Sequence, residues 1–94
     1  MERIDFSALP GGELISQGLE DVAAGRESEA GLLVLIGAPR LRRLGLEVSD
    51  ATAMVPEHQL YRLLTRRDPD SAHSRYNALI RRLVSFERAL ECVA

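Results

Sequence analysis

Two histidines, one cysteine, a Pro-Gly-Gly stretch and a set of arginines are the residues of this chain whose types admit chemistry. His58 and His73 fall on different predicted helices, and neither has an acid at i+3 or i+4 on a shared face. A zinc site needs closer, convergent ligands, so both histidines are expected to be solvated and no metal is expected. Cys92 is the sole thiol, which excludes an intramolecular disulfide and leaves a buried spectator as the expectation over a reactive thiol. Pro10-Gly11-Gly12 lacks both the lysine and the preceding strand of a phosphate-binding loop. Asp70, Ser71 and His73 would supply a nucleophile and a base, but at a helix start Asp70 and Ser71 serve the backbone instead. No catalytic residue and no cofactor are expected, and the chain reads as a non-enzyme.

The arginines carry the more substantial alternative. All twelve basic residues are Arg and none is Lys. A guanidinium pairs bidentately with carboxylate or phosphate, although the codon usage of a GC-rich genome produces the same bias. Residues 56–92 read as helix, tight turn, helix, and the second helix opens with Ser71, His73, Ser74, Arg75 and Asn77, types that reach phosphates and base edges. Arg62, Arg66, Arg67, Arg81 and Arg82 would line the backbone contacts of such a nucleic-acid-binding regulator. Against this, the chain carries a net charge of −2, and Asp68 and Asp70 stand in the turn where phosphate would approach. Arg62 and Arg66, one turn apart, repel by a few tenths of a kcal/mol unless an anion lies between them. Charge is also segregated: residues 1–37 hold two Arg against seven acids, net −5, and residues 38–94 hold ten Arg against seven acids, net +3. The two parts are expected to face each other, or each to face something outside.

The element that positions these residues is a long amphipathic helix over 68–93. Asp68 is placed to cap it, Pro69 suits the first helical position, and Asp70 complements the dipole. Ala72, Tyr76, Leu79, Leu83, Phe86, Leu90 and Val93 recur at steps of four and three to form one apolar stripe. Before it, Pro56 starts a helix over 56–67 with Leu60, Tyr61, Leu63 and Leu64 on one face. Residues 1–9 form an arm with Ile4, Phe6 and Leu9, and a first helix over 12–24 presents Ile15, Leu19 and Val22 inward. Gly18 costs that helix about 1 kcal/mol relative to Ala, which the close approach of another helix would justify. Ser28 caps a central segment over 28–37 whose run Leu32-Leu33-Val34-Leu35-Ile36 is apolar on all sides. Its lead-in favours helix, with a strand at 32–36 as the alternative. Gly37-Ala38-Pro39 is expected to end this segment and open a short helical turn over 39–44, closed by Gly45 with Leu46 folding back. Residues 46–55 read as an irregular connection that tucks in Val48, Met54 and Val55.

Ninety-four residues suit one domain, and an aliphatic core without Trp favours helix on helix. The expected fold is therefore all-α, a bundle of four main helices plus the short turn. No apolar run approaches the roughly 20 residues of a membrane span, and the N-terminus lacks a secretory signal, so a bacterial cytoplasmic location is expected. The functional expectation is a non-catalytic accessory or antidote-like regulator that binds a protein partner or a second copy of itself. Phe86, Leu90 and Val93, at the far end of the long helix, are the expected contact residues, unless the arm folds back over them. Neither a small-molecule substrate nor a membrane is implied.

Overall fold

Ser28, Gly25 and Gly45 set the ends of the first two helices through local chemistry. The Ser28 side chain accepts a hydrogen bond from the Gly31 N–H at 2.9 Å, satisfying one of the free donors of the helix that follows. Gly25 and Gly45 both take positive φ, 74° and 100°. Each closes a helix with the same bond pair, Arg26 N–H to Asp21 O with Gly25 N–H to Val22 O, and Leu46 N–H to Leu41 O with Gly45 N–H to Arg42 O. Leu46 is buried as a consequence, as the sequence predicts.

The computed structural model describes residues 6–49 and 55–93. Within them a 3-10 turn, Phe6–Ala8, precedes α1 Gly12–Ala23, α2 Glu29–Arg43, α3 Pro56–Arg67 and α4 Ala72–Val93. The fold is all-α: residues 32–36 lie inside α2, and no strand occurs among the described residues. Ile4 and Met54, assigned inward from the sequence, lie outside the described residues. No described helix is long and apolar enough to cross a membrane.

α2 is the centre, packing against α1, α3 and α4. Leu33, Val34 and Leu41 are fully buried along it, so the apolar run is the inner wall of the core. The expected break at Gly37-Ala38-Pro39 does not occur. α2 runs through Pro39, and the segment over 39–44 is its last turn. An interior proline costs about 3 kcal/mol, but Ala38 and Leu41, on either side of it, are buried against other helices, and that packing prevails. Pro39 itself is exposed, so the ring lies on the solvent side of the helix.

α1 lies close against α2 at Gly18, where an added Cβ would stand 2.3 Å from the Ala30 carbonyl oxygen. The helix-breaking residue is thus the crossing point of the two helices. α4 begins three residues later than the expected first helical position. Asp68 instead accepts from the Asp70 N–H at 3.1 Å, forming a side-chain turn, and Ser71 O accepts the Arg75 N–H that opens the helix. The whole body measures 45 × 25 × 17 Å. Helix axes pack about 8–10 Å apart, so the short dimension holds two layers and most helices keep one uncovered side.

Candidate protein-interaction face

The far end of α4 is not the open surface that the sequence suggests. Phe86 and Leu90 are buried within the chain at 0% and 1% exposure, and Val93 alone of the three is exposed, at 53%. The cover is the amino-terminal turn. Phe6 meets Phe86 edge-to-face with ring centroids 6.4 Å apart, and Leu9 is partly buried against the same core. From the other side α2 supplies Gly37, against which the Leu83 methyls lie so closely that a Cβ would stand 2.9 Å away. Cys92, expected to be buried, is exposed.

Glu87, on the flank of the stripe, is buried beside Arg40, whose guanidinium stands 3.7 Å away and also reaches Glu91 at 2.8 Å. Burial raises the Glu87 carboxyl above the usual glutamate range, with Arg40 pulling the other way. Asp21 is the second buried acid. Its carboxylate accepts from Ser28 Oγ at 2.6 Å, from Gln17 at 3.0 Å and from Arg26 Nε at 3.1 Å. The Ser28 bond above all holds its pKa below the usual aspartate range, while burial opposes. Both acids serve the fold: Glu87 in the α2–α4 seam, Asp21 in tying the end of α1 to the start of α2.

The exposed aromatic surface lies elsewhere, on α3 and the first half of α4. The sequence groups Tyr61 with Leu60, Leu63 and Leu64 on one face, yet it is 40% exposed. Leu60 and Leu64 are one turn apart and fully buried, whereas Tyr61 stands about 100° round the helix from Leu60. The helical wheel already contains this signal. Its ring meets Tyr76, itself half-buried against the core, edge-to-face at 5.7 Å and His73 at 6.5 Å, so three rings from two helices form one platform. Asn77 and His73 are joined at 3.2 Å between Nδ2 and Nε2, and Thr65 Oγ1 donates to the Tyr61 carbonyl at 2.9 Å. His58, Tyr61, Arg62 and Thr65 line a shallow depression of about 400 Å³ on the same side.

Part of the arginine set is matched within the chain. Arg66 pairs with Glu27 at 3.5 Å, while Arg67 and Arg75 converge from two helices on Glu29, at 2.6 and 2.9 Å. The acidic first part and the basic second part of the chain therefore meet at the start of α2. Arg62, Arg81 and Arg82 are exposed with no ion pair among the described residues, and Ser74, next to His73 in sequence, is exposed. Among the described residues no three His, Cys, Asp or Glu side chains are placed to hold a metal ion. Comparison with known proteins finds no family model that matches the chain and no curated protein or solved structure significantly similar to it.

Proposed function

We propose that this chain is a non-catalytic regulatory protein that binds another protein, or a second copy of itself, through the α3–α4 face centred on Tyr61. The observation that carries the reading is the platform of Tyr61, Tyr76 and His73 on the outside of a body two helices thick. Tyrosine is enriched where proteins bind because it brings a large, rigid apolar ring and one polar tip at low entropic cost. His58, Arg62 and Asn77 around it supply a polar rim. The contact region remains the long helix with its neighbour over 56–67, but Tyr61 and Tyr76 take the role first given to Phe86 and Leu90.

The nucleic-acid reading draws less support, because Arg66, Arg67 and Arg75 are already matched by Glu27 and Glu29. Salt separates the two. Phosphate binding falls steeply with ionic strength, whereas an aromatic interface is nearly indifferent to it.

The test is Tyr61→Ala. Tyr61 is 40% exposed and its ring meets those of Tyr76 and His73, so the substitution should lower stability by only about 1 kcal/mol. Self-association in sedimentation equilibrium, or capture of one defined partner from native lysate, should weaken by about 2 kcal/mol, roughly thirtyfold. An association that the substitution leaves unchanged, or a chain that is monomeric and captures nothing, refutes the reading.

A further inference from the structure

On the other flank of Arg62, Glu27, Gln59, Arg62 and Arg66 line a cleft of about 220 Å³. Gln59 carries an anomaly there. Its Oε1 exposes less than 1 Å² and accepts no hydrogen bond, although buried acceptors are nearly always satisfied. With the acceptor turned inward, the polar atom the side chain can offer to the cleft is its NH2 group. Arg62, free of ion pairs among the described residues, and Arg66, one helical turn further on, add two guanidinium groups. Three side chains able to donate therefore line one cleft, and turning the amide over would set its oxygen against whatever they bind.

We infer that this cleft is a binding site for a carboxylate group. Two guanidinium groups and Glu27 sum to a single positive charge, which one carboxylate balances and a phosphate dianion exceeds. Guanidinium and carboxylate also match as planar, bidentate partners. In the unliganded chain the Glu27 carboxylate fills part of this role, 3.5 Å from Arg66, with both side chains more than half exposed. Such a pair is weak and exchangeable, so Glu27 competes with the incoming group rather than excluding it. The size of the cleft suits a small acid or the last residue of a polypeptide, and these two sources share the chemistry that is recognised. The site does not depend on the aromatic face for its argument.

Titration of isotope-labelled full-length chain with sodium acetate, against sodium chloride at equal ionic strength, reads the site through the Gln59 side-chain amide and the Arg62 and Arg66 Nε–H signals. Acetate should shift all three saturably. Arg62→Gln should weaken binding about tenfold, the loss of one charge-assisted bond, and Glu27→Gln should tighten it by removing the internal competitor. Acetyl-alanyl-alanine and its C-terminal amide distinguish the sources: tighter binding of the free acid than of acetate assigns a chain end, and equal binding assigns a small acid. If acetate moves these signals no more than chloride does, or if Glu27→Gln leaves affinity unchanged or weaker, the carboxylate site is refuted.

Discussion

Gly18→Ala sets local propensity directly against tertiary geometry. Within a helix, alanine is favoured over glycine by about 1 kcal/mol, so α1 taken alone predicts a more stable protein. The structure predicts the opposite. The new methyl would lie 2.3 Å from the Ala30 carbonyl oxygen and 2.5 Å from Val34 Cγ2, and the first of these is backbone. To restore ordinary contact α1 and α2 must part by roughly 1 Å, and overpacking of that kind costs typically 1–3 kcal/mol. The loss is not confined to one contact, because α2 is the wall on which every other helix rests. Setting a clash near the upper end of that range against the propensity gain leaves a net loss of about 1–2 kcal/mol. For a domain of this size that lowers the melting midpoint by roughly 4–16 °C. Urea unfolding at one temperature, compared with thermal melting, measures both quantities. Gly25→Ala is the control, since its Cβ would meet nothing within 4 Å and only its φ of 74° resists. A Gly18→Ala protein as stable as the parent, or more so, would show that the two helices are not in contact there.

Phe86→Ala should cost about 3–5 kcal/mol in urea denaturation, a large share of the roughly 5–14 kcal/mol available to 94 residues, because its ring is fully buried under the amino-terminal turn. A loss below about 1 kcal/mol would contradict that burial. The two buried acids predict pH dependences of opposite sign. The folded chain holds the Glu87 proton more tightly than the unfolded chain does, so this group's contribution is most favourable below the usual glutamate value and declines as pH rises through the raised folded one. The stability of Glu87→Gln relative to the parent should therefore grow as pH rises from the usual glutamate value through the raised folded one. Asp21 contributes above the usual aspartate value and loses that contribution as pH falls through its lowered folded pKa. Asp21→Asn should accordingly flatten the acid limb of the stability curve, and an unchanged limb would place the acid sensitivity elsewhere.

What the sequence made legible was whatever local chemistry decides. The Ser28 cap, the closures at Gly25 and Gly45, the fold-back of Leu46 and the proline start of α3 all follow from residues within one turn of the feature. Gly18 was legible in kind, as a cost requiring a close neighbour, but not in partner, since nothing in α1 names Ala30. The continuity of α2 through Pro39 was not legible, because it depends on packing either side of the proline by helices distant in sequence. Phe86 and Leu90 failed for a related reason. Counting the length of α4 against the shorter helices left its far end uncovered, and the fold-back of the arm, kept as the alternative, brings Phe6, in a 3-10 turn too short to leave a periodic signal, onto Phe86. Tyr61 was an error of angle rather than of information.

The charge pattern shows how one sequence signal resolves into two structural outcomes. A first part at net −5 and a second at net +3 either satisfy each other or wait for something external. Glu29 is only 12% exposed and takes both Arg67 and Arg75, so at that point the segregation is internal: it binds the start of α2 to the junction of α3 and α4. Glu27, two residues earlier in the loop before α2 and 57% exposed, makes a longer and looser pair with Arg66, and Arg62 has no ion pair among the described residues. A partly buried pair that serves the fold should be insensitive to added acids, whereas an exposed pair beside an unmatched guanidinium is the one a foreign carboxylate can enter. Glu29→Gln should thus lower stability, leaving two cations near the seam without their shared anion, and should not raise affinity for acetate. Glu27→Gln should do the reverse. Denaturation and acetate titration of the two variants side by side give four readings, and a matched response of both would show that the inner and outer pairs play the same part.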